Sequence, residues 1–283
     1  MILITGANGV VGTPLCQRLQ SDAIEFMAVS RRHLNGVPHQ FTWNMEEALP
    51  DLPVDIALDA LIHCAPLWLL APHIESLAAH GLKRVVAFSS TSIEGKQRTR
   101  SRYEQTMVAL LSDAESSLKT TCIKLGIELT LLRPSLIYGY QRDQNVSRIA
   151  RTIKRFGVLP VVGQAQGLRQ PVHADDLVHV AISALSKKLD GVRTYTVVGG
   201  ETLSYEAMVR RIFASLDKSP RLLRLPAWLM RAGLWILGVL TAGQYTPDMA
   251  DRMNQDLAYD DQPARVELGY QPRDFYPQVG IDV

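Results

Sequence analysis

Apolar positions along this chain follow two rhythms. Short, nearly continuous apolar runs alternate with stretches in which apolar residues return every three or four positions, the alternation expected of βα units around a parallel sheet. Ile2–Ile4 is the first run, and a helical pattern follows from near Val10. Ile24–Ser30 reads as the second strand, Gln40–Trp43 as a short third, Ala57–Ala65 (ALDALIHCA) as the fourth and Lys83–Ser90 as the fifth. A short helix is predicted at about Pro72–His80, between the fourth and fifth strands. Ile127–Tyr140 opens as another strand, Val158–Gly163 is a further apolar run, and Val192–Val198 returns to the sheet late. Helices are predicted from Asp175 to about Lys187 and from Glu201 to about Leu216. The pattern predicts a doubly wound parallel α/β sheet with a small, mostly helical C-terminal lobe.

Between the first run and the first helix lies Thr5-Gly6-Ala7-Asn8-Gly9-Val10-Val11-Gly12. Strand, glycine turn and helix in that order are the context a dinucleotide fingerprint requires. Gly6 suits the tight turn, Gly9 lets backbone approach a pyrophosphate, and Gly12 permits close helix–strand packing. Free N–H groups at the helix start, including those of Asn8, Val10 and Val11, then face phosphate anions. The sheet is therefore read as a Rossmann-type dinucleotide domain over residues 1–160, completed by about 170–200, with a substrate lobe over 200–283. At the end of the second strand no carboxylate is present to accept bonds from an adenosine ribose; Arg31 and Arg32 stand there instead. Guanidinium groups at that place suit the 2′-phosphate of NADP, so NADP is expected over NAD. Cys64, Ala65 and Pro66 follow the fourth strand, where ligands bind in open α/β sheets.

A formal net charge of +2 provides no basic field, and no nucleic-acid partner is expected. The cysteines at 16, 64 and 122 are far apart, without metal or disulfide spacing, which suits a reducing cytoplasm. No metal site is expected; His63, lacking a ligand partner at metal spacing, reads as a core or cofactor-lining residue. Ile2–Ile4 starts a strand with no basic segment before it, so no leader is expected. Pro226–Ala242 (PAWLMRAGLWILGVLTA) is apolar almost all round, with Arg231 its single charge. Such a helix is usually buried. Packing against another subunit, as in an oligomer, or lying on a membrane surface are the alternatives.

The Thr-Gly-Ala-Asn-Gly wording resembles the extended and atypical short-chain dehydrogenase/reductases, which include sugar-nucleotide epimerases and dehydratases. Ile127–Tyr140 carries Arg133-Pro134-Ser135-Leu136-Ile137-Tyr138-Gly139, similar to that family's Leu-Arg-Pro-x-x-x-Tyr-Gly segment. Leu168–Asp176 resembles its Arg-Asp-x-x-His-Val-x-Asp segment, and Glu267–Arg273 its Leu-Gly-Tyr-x-Pro close. The resemblance implies a nicotinamide cofactor and a nucleotide-sugar-like substrate. It places Asn44 near adenine, Ser89 and Pro134 along the cofactor, and Ser90 where a hydroxyl orients the reacting oxygen. Thr91, Ser135 and Arg169 fall at substrate positions, Arg169 as a holder of pyrophosphate. His173 and Asp176 are expected to brace the domain junction and cap the following helix.

The family's Tyr-x-x-x-Lys pair, in which lysine lowers the pKa of a proton-passing phenol, is missing at every tyrosine. Tyr103 is in roughly the right place, but Met107 stands four residues on; Tyr138 is followed by Arg142. Aligning on Glu104 puts Lys96 and Arg100 at the two positions, aligning on Glu115 puts Met107 and Leu111 there, and no register restores the pair. Loss of a general acid–base group is worth about 10² to 10⁴ in rate, or roughly 3–5.5 kcal/mol. Tyr103, Tyr138 and Ser90 are the remaining catalytic candidates. The reading divides between an NADP-dependent oxidoreductase or epimerase/dehydratase and a non-catalytic NADP-binding sensor or assembly protein.

Overall fold

A computed structural model describes residues 1–50, 57–97, 99–241 and 245–278. From the N-terminus the chain runs β1 (Ile2–Thr5), α1 (Gly12–Ser21), β2 (Phe26–Ser30), β3 (Gln40–Thr42), β4 (Ala60–His63), α2 (Ile74–Ala78), β5 (Arg84–Phe88), α3 (Ser92–Gly95), α4 (Arg102–Leu125) and β6 (Glu128–Pro134). It continues through β7 (Ile137–Tyr138), α5 (Val146–Phe156), β8 (Leu159–Val162), β9 (Leu168–Arg169), β10 (Val172–His173), α6 (Ala174–Ser186), β11 (Val192–Val197), β12 (Leu203–Ser204) and α7 (Tyr205–Ala214). The last stretch holds β13 (Leu222–Leu225), α8 (Ala227–Leu240), α9 (Asp248–Arg252) and α10 (Gln262–Leu268).

The main sheet has seven strands in the order β11-β6-β5-β4-β1-β2-β3. Every neighbouring pair is parallel. Apolar residues on both faces of each strand explain why those runs do not alternate with polar ones. Ile4, Ala28, Ile62 and Val86 face α1 and α6, where Leu15, Leu19, Leu177 and Ala181 complete one core. Leu3, Val29, Leu61, Val85 and Leu129 face the other way, onto Leu77, Ala114, Leu118 and Cys122 of α2 and α4. Because strand order reverses about β1 and β4, their carboxyl ends open the crevice in which ligands of such sheets bind.

The hydrophobic cores do not follow chain order strictly. The lobe core draws Tyr138, Val146, Ile153 and Val161 together with Met208, Ile212 and Phe213 of α7. In the other direction, Ala264, Leu268 and Tyr270 return to the α1–α6 face of the sheet. Helix α8 corrects the expectation of full burial. Met230 and Leu234 are buried against Val162 and Ala250, while Trp228 is 69% and Trp235 62% exposed, with Ile236, Val239 and Leu240 exposed beside them. Ala242, the last residue of the apolar run, lies outside the described residues. Among the described residues no helix is long and apolar enough to cross a membrane.

Candidate functional site

The glycine turn is built as a cradle. Gly6 has φ +72°, and a Cβ there would lie 2.6 Å from the Ala65 amide nitrogen and 2.7 Å from the Cys64 carbonyl carbon. A Cβ on Gly12 would overlap the Gly6 carbonyl oxygen, so α1 can start this close to β1 only with glycine. Gly9 differs: its Cβ would meet the Gly6 oxygen at 3.1 Å and then nothing nearer than 3.7 Å. Its Cα face is therefore the open one, where a phosphate can approach backbone. Gly9 N–H donates to the Gly6 carbonyl at 2.9 Å, closing the turn, and Val11 is buried beneath it. These residues fit a dinucleotide pyrophosphate. The structure brings Gly6, Asn8, Gly9, Val10, Val11 and Gly12 together with Cys64 and Ala65.

Beside the turn, Thr5 Oγ1 and His63 Nδ1 are 2.7 Å apart, and His63 Nε2 is 3.1 Å from the Pro66 carbonyl. The carbonyl can only accept, so Nε2 carries the proton and Nδ1 accepts from Thr5. Burial lowers the His63 pKa to about 4, keeping the ring neutral. Burial likewise pushes the Cys64 thiol up. Neither side chain is a nucleophile; together they fix the strand end against which Gly6 packs. At the end of β2, Arg31 and Arg32 are exposed, and among the described residues no carboxylate pairs with them. Ser30 Oγ accepts from Arg32 N–H at 3.2 Å and shapes the bend. Asn44 is engaged within its own turn, donating to Glu47 at 3.1 Å and accepting from Glu46 N–H at 3.4 Å.

The ends of β5 and β6 form the other half of the crevice. Ser89 Oγ donates to Glu115 Oε1 at 2.6 Å, and Arg133 clasps the same carboxylate through Nε at 2.9 Å and Nη2 at 2.6 Å. Burial pushes Glu115 up, but bonds from Arg133 and Ser89 outweigh it and hold the carboxyl below its ordinary range. Ser89 is thereby committed to the scaffold. Ser90 Oγ accepts from Ser92 N–H at 3.0 Å, and Thr91 gives both its N–H (3.1 Å) and its hydroxyl (3.2 Å) to the Pro134 carbonyl. Ser135 donates its hydroxyl to the Gln170 carbonyl. Met107 and Leu111, two turns and one turn before Glu115 on α4, are half-buried on the side that leads to this corner.

Several expected site residues lie elsewhere. Tyr103 is 51% exposed on the first turn of α4 and has no hydrogen-bond partner among the described residues. Tyr138 is buried in the lobe core between His173 and Phe275, its oxygen accepting from Tyr276 N–H at 3.3 Å. Burial raises its pKa further. Arg169, expected at a substrate position, is bonded to the lobe backbone. Its guanidinium is buried, stacked over Tyr205, and donates to the carbonyls of Leu168 (2.6 Å), Gln255 (2.8 Å) and Arg252. It braces the lobe main chain with three of its five N–H donors. His173 accepts from Asp175 N–H at 3.2 Å at the start of α6, and Asp176 binds Arg273 at 2.8 Å.

One phenol at the β5 end escaped sequence reasoning. Tyr259 hydrogen-bonds the Thr91 side chain. A Cβ on Gly95 would overlap the Tyr259 hydroxyl and crowd Leu257 Cδ2 at 3.1 Å, so the Ile93-Glu94-Gly95 turn packs closely against both side chains. Burial raises its pKa, with the Thr91 bond and the charge of Arg169 acting against the rise. Nothing in the local pattern around Leu257-Ala258-Tyr259 marks it; only the fold brings it to Thr91.

The model of the NAD dependent epimerase/dehydratase family matches residues 2–68 and 72–198, both halves of this crevice included. The chain belongs to that family. Among members of the epimerase/dehydratase family, it is 24% identical to a UDP-glucose 4-epimerase of Vibrio cholerae over 305 residues, covering 96% of this chain and 90% of that protein. Its fold is shared with MoeE5 solved with UDP-glucuronic acid and NAD (TM-score 0.70, 18% identity, 97% and 94% of the two chains). It is also shared with a UDP-glucuronic acid 4-epimerase from Bacillus cereus solved with UDP-glucuronic acid and NAD (TM-score 0.70, 16% identity, 96% and 93%).

Proposed function

We propose that this protein is an NADP-dependent oxidoreductase or epimerase acting on a nucleotide-sugar-like small molecule. The observation that carries the reading is the joint presence, along one crevice, of the glycine cradle and the hydroxyl-lined end of β5. Arg31 and Arg32, unpaired and exposed at the β2 end, favour a 2′-phosphate. The two solved structures described above hold NAD, which makes NAD the cofactor to test against NADP. When bound, the nicotinamide supplies the hydride acceptor or donor. The chain's own groups do the rest: Ser90, whose proton has no protein acceptor among the described residues, orients the reacting oxygen. Tyr259, fixed by Thr91 and the gap at Gly95, holds the proton passed at that oxygen. Glu115 and Arg133 keep the β5 and β6 ends in register.

A second reading, a dinucleotide-binding protein without turnover, is favoured by Met107 and Leu111, which cannot exchange protons. Hydride exchange measured over a panel of UDP- and dTDP-sugars with NADPH or NADP separates the two. The enzyme reading expects turnover that falls at least 10²-fold in Tyr259→Phe with cofactor affinity kept. Cofactor binding without turnover on any sugar nucleotide supports the binding protein.

A further inference from the structure

Resting on the dinucleotide reading of the glycine cradle, we propose that Arg142 is a phosphate clamp that closes on the cofactor's pyrophosphate from the far side of the crevice. Arg142 follows β7, some 130 residues after the turn it touches. Its Nη2 donates to the Asn8 carbonyl at 2.8 Å and to Asn8 Oδ1 at 2.9 Å, and its Nη1 donates to Thr13 Oγ1 at 2.8 Å. All three acceptors are neutral, and among the described residues no carboxylate pairs with this guanidinium. A full positive charge is thus held against the mouth of the phosphate cradle. Of the five N–H donors of arginine, the loop takes three. Nε–H and the second Nη1–H remain, on different sides of the planar group, each able to donate singly to a phosphate oxygen.

The backbone leading to Arg142 is shaped for this reach. Gly139, Tyr140 and Gln141 all have positive φ, at 139°, 55° and 54°. Two consecutive non-glycine residues in the left-handed region are unfavourable and persist only where surroundings hold them. Here the hydroxyl of Tyr140 is anchored on Asp175 of α6, and Asp143 accepts from the backbone of Asn145 (2.9 Å) and Ser147 (3.1 Å) to start α5. Both flanks are pinned, and Arg142 is projected between them onto Asn8. The same residue joins the lobe side of the crevice to the cofactor side, so dinucleotide binding would draw the 139–145 loop toward the sheet.

The test is a titration of the full chain and its Arg142→Ala and Arg142→Lys variants with NADPH, ADP-ribose and adenosine, at low and high salt, by calorimetry. ADP-ribose keeps the pyrophosphate but lacks the 2′-phosphate read by Arg31 and Arg32; adenosine lacks both. Arg142→Ala should weaken NADPH and ADP-ribose about 10- to 100-fold, the range of a hydrogen bond to a charged group. It should flatten the salt dependence and leave adenosine unchanged. Arg142→Lys should recover part of the loss. Unchanged ADP-ribose affinity in Arg142→Ala overturns the clamp and leaves the proposed function standing. An equal loss for adenosine overturns it too, because the residue would then only hold the loop. If the unaltered protein binds no dinucleotide, the cradle reading fails first, and the clamp with it.

Discussion

Substituting Glu104 tests how the lobe is held to the sheet domain. Glu104 is buried on the first turn of α4, yet both its oxygens are bonded to Arg252 of α9 at 2.8 Å, with Thr99 at 2.7 Å and Lys96 at 3.2 Å. Burial pushes the carboxyl up, but these partners outweigh it and bring its pKa from 4.5 down to about 2. A depression of that size corresponds to about 3 kcal/mol of stability at neutral pH. The group's folded pKa is the lower one, so this contribution is complete above about pH 5 and disappears as pH falls toward 2. Removing the charge also leaves Arg252 half-buried and unpaired, an arrangement that costs about 3–5 kcal/mol when a buried pair is broken. Glu104→Gln should therefore lose about 3 kcal/mol in urea unfolding at neutral pH, with the gap to the parent narrowing steadily as pH falls. Hydrogen exchange should show the loss at α4 and α9 together. A loss under about 1 kcal/mol, or a gap that stays constant on acidification, would refute the ionic account of the junction.

Gly9→Val should leave the fold intact, since its Cβ would meet only one atom closely, but abolish dinucleotide binding; retained affinity in a folded variant means that the turn does not receive phosphate. The double change Arg31→Ala/Arg32→Ala should cost NADPH affinity and leave NADH affinity alone, and equal binding of both cofactors to the parent protein would sink the NADP assignment. On α8, Leu234→Ala should destabilise by about 2–5 kcal/mol, whereas Trp235→Ala should change stability by no more than about 0.5 kcal/mol. Comparable melting shifts for the two would mean that the Trp-bearing face is covered in solution.

Strands and the glycine turn were legible because their signals are local: β-sheet runs buried on both faces, and glycines where a Cβ would strike backbone. Gly6 and Gly12 carry that signal outright. Element ends moved by one to four residues, as at β2, which begins at Phe26, not Ile24. The sequence context of Arg169 announces an arginine at a cleft, but could not show that carbonyls of residues more than 80 positions away take two of its donors. Tyr259 and Arg142 were illegible as site residues for the same reason in reverse: each is ordinary in its own neighbourhood and meaningful only through a partner distant in sequence. The apolar run of α8 was read by composition, but composition cannot tell how much neighbouring structure exists to cover a helix.

The position of β1 in mid-sheet, with Gly6 wedged against Cys64 and Ala65, sets an order of events during synthesis. β1 can pair with β2 early, but its other edge waits for β4. At about 5–20 residues per second, Ala65 follows Gly6 out of the ribosome by roughly 3–12 s, and Arg142 follows Ala65 by roughly 4–15 s. During the first interval the glycine turn has no wall to lean on, and its N–H groups stay unorganised. A nascent chain arrested before β4 should thus show no affinity for a dinucleotide, and one arrested between β4 and β7 should show affinity without the arginine's share. A dinucleotide bound at that stage would favour the sheet before the lobe exists.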